Sequence, residues 1–445
     1  GSNNINLLDP RGQFGTRLQG GSDSASERYI FTCLMKLTRL IYPEADDCVL
    51  KYLDDDGTSV EPIHYVPIIP MILVNGSKGI GTGFSTDIMC YNPLNIIDHI
   101  SSSIKGVLFT ENITISPYYE GFKGDITKIS ESKYLIKGKY EVVNDKLVRI
   151  TELPIGTWTD DYKQFIEELI EGDKNEKLIE KEKKKSSAST PTNNKKEKNK
   201  SKSKPVSLVK DYTDMSTDVN VDITITFTNN TVLKELLTKE GEHGCNGVEK
   251  LLKLYTTKSN TNMHAFDENE KLVKFETIND LIEDYIKVRM AFYVTRKAYQ
   301  LVELKKEALV LSNKARFISA ILDDTLDLRR KKTAIVSEML KKANYDIVEG
   351  DTDYKYLVRM PMDSVTEENV EKILKEKERK LAEVSYLEDT TETQLWLNEL
   401  DILRKEYVNY RTKKQSNDET DIKKGALITI KKKKTHPPKV IKNKD

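Results

Sequence analysis

Cysteine and histidine are scarce in this chain of 445 residues. It has four cysteines and five histidines. The cysteines form no CxxC pair and no two histidines stand at the spacing of metal ligands, so neither a zinc site nor a disulfide-stabilised secreted fold is expected. The sequence predicts reduced thiols in an intracellular protein, and we assign no metal ligand to it.

Long apolar runs are missing too, and so is an excess of charge of one sign. No segment approaches the roughly 20 apolar residues that span a bilayer, so no membrane partner is expected. Lysine plus arginine and aspartate plus glutamate both number 71, which gives a formal net charge of zero. This balance argues against a uniformly basic surface, although an uneven distribution of charge still allows a local basic channel.

One stretch, Gln13–Ile41, combines a glycine-punctuated loop with apolar residues at helical spacing. Gly20–Gly21 is a flexible joint, and Glu27 stands at capping-box spacing from Ser24. Side chains that offer cap oxygens are Ser22, Asp23, Ser24 and Ser26. The pattern predicts a helix whose buried face carries Ile30, Leu34, Leu37 and Ile41.

Arg28 and Tyr29 fall at the predicted start of that helix. Unpaired N–H groups and the positive end of the helix dipole would attract a phosphate there. A phenol beside a guanidinium at such a site is a candidate nucleophile for a phosphodiester. Because the chain has 21 tyrosines and most tyrosines are packing residues, residue chemistry alone leaves Tyr29 a candidate.

A second glycine-rich stretch, Gly76–Ser85, follows the apolar and proline-containing segment Tyr65–Asn75, which is predicted to be extended. It lacks the Gly-Lys-Ser/Thr of a Walker A loop and the context of a dinucleotide site. A tight turn is the simplest interpretation. Ile80, between two glycines at the tip, is also a candidate wedge between base pairs, and Lys78 is placed to meet backbone phosphates.

The rest of the chain changes character twice. Residues 108–276 alternate in strand fashion with helical pieces between, and a lysine- and serine-rich insertion at 174–206 is predicted to be disordered. From Ile278 a heptad pattern predicts one helix to Arg316, about 58 Å long. Its core positions are Ile278, Leu281, Tyr285, Val288, Phe292, Tyr299, Val302 and Leu309. A returning helix is predicted around Trp396, Leu400, Leu403, Tyr407 and Tyr410, with a small helical tip between the two helices.

Five blocks of sequence together resemble a known family. They are GSNNINLL (1–8), GQFGTRLQGG (12–21), DSASERYI (23–30), VPIIPMILVNGSKGIGTGFS (66–85) and ITELPIGTWT (150–159). In order and spacing they look like the DNA-cleavage core of a eukaryotic-type DNA topoisomerase II, a type IIA enzyme. The resemblance continues into the coiled-coil half and so covers nearly the whole chain.

The resemblance implies an α+β multidomain fold. It implies the distal part of a winged-helix domain at residues 1–107, a mixed α/β tower at 108–276, and a long antiparallel coiled coil with a helical C-gate at 277–411. A basic disordered tail is expected at 412–445. The apolar contacts predicted for the gate are Leu357, Met360 and Met362.

The resemblance also assigns roles to residues. The tyrosine matching Tyr29 attacks a DNA phosphate and becomes linked to the 5′ end, and the arginine matching Arg28 stabilises the transition state. The residue matching Ile80 wedges into the duplex, and the one matching Trp158 lies near the DNA. Further DNA contacts are predicted at Gln13, Arg17 and Lys78. Ser22 stands where the family usually has lysine, which removes one possible phosphate contact.

Cofactors and partners follow from the resemblance as well. The family binds ATP and Mg²⁺ in domains upstream of the matching segment, so both are expected for the complete enzyme and this fragment alone is expected to be inactive. Double-stranded DNA is the expected substrate. A homodimer through the C-gate and a nuclear location, or another intracellular DNA-containing compartment, are also expected.

Two other interpretations are open. A non-catalytic DNA-bending or clamp protein would use Ile80, the heptads and the lysines without chemistry, and its bending would not change with Tyr29→Phe. A bacterial-type gyrase A relative is the third, although the forms GQFGTR and ELPIGTW argue against it.

Overall fold

The computed structural model describes residues 3–106, 115–171, 208–348, 350–351, 353–361 and 367–433. The chain divides into two compact units. The first comprises Gly1–Thr38, Ile69–Ser103 and Leu108–Glu283, and the second comprises Arg39–Ile68, Ile104–Val107 and Asp284–Asp445. Most strands lie in the first unit and the longest helices in the second, which confirms the α+β class. None of the described helices combines the length and the apolar character needed to cross a membrane.

The strands and helices follow in chain order. The strands are Leu8–Arg11 (β1), Phe31–Leu34 (β2), Tyr52–Asp55 (β3), Thr58–Pro62 (β4), Ser77–Ile80 (β5), Ser85–Ile88 (β6), Asp125–Ser130 (β7), Lys133–Lys137 (β8), Lys139–Asn144 (β9), Leu147–Glu152 (β10), Val209–Asp214 (β11), Ile223–Phe227 (β12), Tyr255–Ser259 (β13), Met263–Phe266 (β14) and Leu272–Phe275 (β15). The helices are Lys36–Ile41 (α1), Met71–Val74 (α2), Pro93–Ile104 (α3), 159–171 (α4, to the end of the described range), Asn230–Thr238 (α5), Gly247–Leu251 (α6), Ile278–Leu322 (α7), Thr333–Lys342 (α8), Lys355–Val358 (α9), Glu367–Asp389 (α10) and Glu392–Lys433 (α11).

The helix predicted at the end of the first glycine-rich stretch is mostly wrong. Glu27–Tyr29 forms a single 3₁₀ turn, and β2 pairs antiparallel with β1. Only α1 is helical. The helical spacing is misleading because Ile30–Thr32 is β-branched and aromatic and β1 supplies a partner, so strand pairing overrides the local pattern.

The second glycine-rich stretch is the tip of a hairpin. Strands β5 and β6 pair antiparallel, with Ile80 opposite Ser85 at the last pair before the loop. Just before the hairpin, α2 is a helical turn and not the extended segment predicted. Pro70 precedes this turn and so places no ring inside it, which removes the expected obstacle to a helix.

Two antiparallel sheets form the strand-rich region, as its alternating sequence predicts. A four-stranded sheet has the order β11–β12–β10–β9, and a three-stranded sheet has the order β13–β8–β7. Inward side chains of the larger sheet pack with α4, α5 and α6 in one apolar core. Its fully buried members include Val148, Ile150, Ile223, Ile225 and Phe227. The insertion predicted at 174–206 lies outside the described residues.

The predicted outgoing and returning helices of the second unit are confirmed. Helix α7 is 45 residues long. Ion pairs join it to α10 and to the start of α11, so α7 and α10 run antiparallel; the pairs are Lys297–Glu392, Lys305–Glu388 and Lys380–Glu307. The second register is also largely confirmed, since Trp396, Leu400, Leu403 and Tyr407 are buried.

The predicted heptad register of α7 is confirmed at its start, where Ile278 and Leu281 are buried, and is wrong farther along the helix. Tyr299, Val302 and Leu309 are exposed, whereas Arg289, Tyr293 and Arg296 are buried. The two arginines share Asp46, at 2.7 Å from Arg289 and 2.9 Å from Arg296, and Arg296 also binds Glu399 at 2.5 Å. Apolar periodicity cannot find this seam because charged residues occupy it.

The helical tip and the tail differ from expectation. Leu357, predicted to be an apolar gate contact, is fully buried in a cluster with Phe317 and Leu340, so its side chain is not accessible to a partner. Met360 packs partly buried against the same cluster, and Met362 lies outside the described residues. Helix α11 continues to Lys433, into the segment predicted to be a disordered tail.

Candidate active site

Tyr29 and Arg28 lie on the exposed 3₁₀ turn between β1 and β2. The Tyr29 side chain is 64% exposed, and the Arg28 guanidinium carbon is 4.9 Å from the centre of its ring. Ser26 precedes the turn without a side-chain cap. The predicted attraction of phosphate to a helix N-terminus is therefore wrong, because a three-residue turn has no appreciable dipole. What the turn offers a phosphodiester is an accessible phenol beside a cation.

The loop before this turn is closed on itself. The Asp23 carboxylate accepts hydrogen bonds from the Thr16 backbone N–H at 2.9 Å and from its hydroxyl at 2.5 Å. These bonds lower the pKa of Asp23. The Gly21 N–H donates to the Thr16 carbonyl at 3.1 Å, and the Ala25 N–H donates to the Gln13 carbonyl at 2.9 Å. Asp23 thus closes residues 16–23 into a ring of backbone, and it is not the helix cap predicted.

Arg17 projects from this ring to a fully buried carboxylate. Its guanidinium makes an ion pair with Glu152, the last residue of β10, whose side chain is 0% exposed. The same carboxylate accepts the backbone N–H groups of Lys123 at 3.1 Å and Leu153 at 2.9 Å. In the protein without DNA, the guanidinium of Arg17 is therefore already occupied.

Three further contacts fix the ring at the start of α4. The Asp160 N–H donates to the Leu18 carbonyl at 3.0 Å, and the Gln19 amide donates to the Asp160 carboxylate at 3.1 Å. Gly20 lies against the indole of half-buried Trp158. Any β-carbon at position 20 would collide with that indole. The φ of +63° at Gly20 also favours glycine.

The hairpin tip presents Ile80 almost completely to solvent. This side chain is 94% exposed. The Gly81 N–H donates to the Phe84 carbonyl at 2.8 Å, and the Phe84 ring packs edge-on against Phe266 of β14, 5.8 Å between centres. Lys78 is exposed and lies opposite Asp87. The tip is therefore a supported apolar projection, as a wedge requires.

The sequence interpretation missed Glu152. Val148, Ile150 and Glu152 alternate along β10, and all three are 0% exposed. A carboxylate in phase with two apolar residues on the inward face is a signal that the sequence does contain, because a buried charge needs a partner. The partner, Arg17, is more than a hundred residues away and is not predictable from that pattern.

No metal-binding cluster occurs among the described residues. Within those ranges no group of three or more His, Cys, Asp or Glu side chains could hold an ion. The acidic run Asp54–Asp56 is exposed at the β3–β4 hairpin. The described residues do not fit a magnesium site.

Residues 1–237 and 187–401 match the family model of the DNA gyrase/topoisomerase IV A subunit. The chain belongs to this family. It is 35% identical over 451 residues to DNA topoisomerase 2 of Plasmodium falciparum (94% of this chain, 29% of that protein) and 36% identical over 448 residues to that of Pisum sativum (91% and 28%). The chain thus spans less than a third of the length of these relatives.

A solved structure is similar over the same range. It is the DNA-binding, cleavage and re-ligation domain of Plasmodium falciparum topoisomerase II, with a TM-score of 0.78 and 34% identity, over 94% of this chain and 54% of that one. The predicted resemblance to the cleavage core of a eukaryotic-type topoisomerase II is confirmed. The roles of Tyr29 and Arg28, and of Gln13, Arg17, Lys78, Ile80 and Trp158, stay predictions.

Proposed function

We propose that this chain is the core of a type II topoisomerase that cleaves and reseals double-stranded DNA, with Tyr29 as nucleophile. One observation carries the proposal: Tyr29 is an exposed phenol with the Arg28 guanidinium beside its ring. Tyr52, Tyr65 and Tyr386 are exposed as well, so among these the guanidinium beside the ring is what distinguishes Tyr29.

The reaction exchanges one phosphodiester for another. The Tyr29 phenol gives up its proton as its oxygen attacks the phosphorus. A 5′-phosphotyrosyl bond forms, the bond to the 3′ oxygen breaks, and that oxygen takes up a proton, so no proton is gained or lost overall. Arg28 stabilises the additional negative charge on the phosphoryl oxygens, because its planar fork matches their geometry. Attack by the 3′ hydroxyl reverses the step, so resealing needs no energy source.

We propose that Ile80 enters the duplex between base pairs and that Lys78 and Gln13 contact its backbone. All three are exposed on the first unit, which also carries Tyr29. Trp158 is half-buried under Gly20, and the exposed part of its indole would lie next to the bound DNA. A wedge that kinks the duplex would help to expose the scissile phosphate.

The complete enzyme would need parts beyond this chain. We propose that it binds ATP and Mg²⁺ through segments outside residues 1–445, and that this chain alone is inactive. We also propose that it acts in the nucleus as a homodimer. Apolar residues exposed near the helical tip would serve the dimer contact: Leu322, Ile335 and Ile347.

Replacing Tyr29 by phenylalanine in the complete enzyme tests the proposal. The change removes the nucleophilic oxygen and keeps the ring, so the covalent protein–DNA adduct trapped by detergent should disappear while the Kd for DNA changes less than about twofold. Tyr52→Phe, at an exposed tyrosine of β3, is the matched control and should keep the adduct. An adduct that persists in Tyr29→Phe refutes the role. Loss of the adduct from the control as well would show that general damage, not the missing phenol, causes the effect.

A further inference from the structure

Glu152 is a charged group in a place where charge is costly. Its side chain is 0% exposed, and it ends a strand whose other inward residues are apolar. A carboxylate withdrawn from water needs a cation and hydrogen-bond donors to be tolerated. Glu152 has them: the Arg17 guanidinium and the backbone N–H groups of Lys123 and Leu153. An apolar residue could fill this space without a cation or hydrogen-bond donors. The presence of a carboxylate with all of these partners therefore needs a reason other than packing.

Arg17 belongs to the closed loop that leads to the candidate nucleophile. Its own N–H donates to the Asp218 carbonyl at 3.0 Å, so both its backbone and its side chain are held by the strand-rich region. Thr16, its neighbour, donates two hydrogen bonds to the Asp23 carboxylate. A constraint on Arg17 is therefore passed through the hydrogen bonds of this ring to Asp23, five residues before Arg28.

We propose that Glu152, acting through Arg17, is a positioning residue for DNA cleavage. The pair clamps the ring 16–23 to the sheet end and thereby fixes the turn that carries Arg28 and Tyr29. This inference rests on the proposed function. It replaces the interpretation of Arg17 as a phosphate contact, because Arg17 is already committed to a buried partner.

The clamp can be tested without DNA by the fluorescence of this chain. It has two tryptophans. Trp396 is 0% exposed, so acrylamide should quench mainly Trp158, which lies under Gly20 of the ring. Glu152→Gln keeps the shape and loses the charge, and Arg17→Gln removes the cation. Both should release the ring and raise the quenching constant of Trp158 by about twofold, because the indole loses its cover.

Cleavage by the complete enzyme is the second measurement. At saturating DNA, both variants should form the covalent adduct on the order of 10- to 100-fold more slowly, because small misplacements of a nucleophile cost this much. The Kd for DNA should change less than about twofold. Since both changes break one clamp, the double variant Arg17→Gln/Glu152→Gln should be no slower than the slower single variant.

Asp222→Asn is the matched control. Asp222 forms a bidentate ion pair with Arg149 of the same strand β10, at 2.7 Å for both contacts, but its side chain is 27% exposed and does not touch the ring. Its loss should leave quenching and cleavage at wild-type values. Arg17→Lys keeps the positive charge but lacks the planar guanidinium, so it should give a smaller defect than Arg17→Gln. It also provides a milder variant in case Arg17→Gln does not fold.

The results that would contradict the clamp differ from those that would contradict the proposed function. If Arg17 contacts phosphate, Arg17→Gln raises the Kd and lowers the salt slope by about one, whereas Glu152→Gln changes neither. Unchanged quenching in both variants, or a thermal destabilisation with a normal cleavage rate, overturns the clamp. If the wild-type enzyme forms no adduct at all, the proposed function fails while the quenching result still decides whether the clamp exists.

Discussion

At the residue scale, the four free cysteines differ in burial. Cys33 and Cys48 are exposed, whereas Cys90 and Cys245 are buried. Burial raises the pKa of the Cys90 thiol to about 11, and this thiol donates to the Asn75 carbonyl at 3.1 Å. Because thiol reagents attack the accessible thiolate, the two pairs should differ strongly in reactivity.

Titration of the folded chain with an aromatic disulfide reagent checks this division. The Cys33 and Cys48 thiols should react in the folded chain near pH 8, and the other two only after denaturation. Cys48 should be the slower of the first two, because burial raises the pKa of its thiol. Cys33→Ser should remove one equivalent from the fast phase, and Cys90→Ser should remove none. Four fast equivalents in the folded protein would contradict the burial of Cys90 and Cys245.

At the candidate site, the exposure of two side chains is predictable from the sequence, whereas their roles stay predictions. An isoleucine between glycines predicts an exposed tip, and Ile80 is one. A tyrosine next to an arginine suggests a nucleophile, and Tyr29 is accessible. Glu152 was not found, because its importance depends on desolvation and on a partner more than a hundred residues away. Sequence patterns report neither of these.

At the scale of elements, two errors have one physical origin. The apolar spacing in Gln13–Ile41 predicts a helix, yet Phe31–Leu34 pairs with a distant strand. The heptads of α7 predict one seam, yet Arg289 and Arg296 fill another because Asp46 neutralises both. In each case a partner outside the local sequence pattern changes the outcome. Helix α7 itself was predictable because its sequence contains no proline or glycine, although it ends at Leu322 and not at the predicted Arg316.

The arginine seam of α7 gives a prediction about stability. Asp46→Ala leaves Arg289 and Arg296 buried with only Glu399 as carboxylate partner, and removing one member of a buried ion pair costs about 3–5 kcal/mol. The free energy of unfolding should fall by this amount in chemical denaturation followed by helical circular dichroism. Asp401→Ala, in the exposed pair with Lys405, should cost less than about 1 kcal/mol. Equal effects of the two changes would show that the buried network does not stabilise the unit.

At the scale of the whole molecule, stability should depend on pH through a buried histidine. His99 of α3 is 6% exposed, and burial lowers its pKa, with the charge of Glu283 acting in the opposite direction. In the unfolded chain a histidine has a pKa of about 6.5. As the pH falls below that value, the unfolded state takes up a proton that the folded state binds less readily, so folding becomes less favourable.

The free energy of unfolding should therefore decrease between pH 7.5 and pH 5.5, by up to about 1.4 kcal/mol per pH unit from this group. Other titrating groups contribute as well, so the comparison is between variants. His99→Gln keeps a polar side chain without a proton to gain, and it should show a smaller loss over this interval than wild type. His64→Gln, at an exposed histidine, is the matched control and should follow wild type, because its side chain lies outside the buried core. Parallel curves for wild type and His99→Gln would mean that His99 is protonated equally in the two states and that its burial is not maintained in solution.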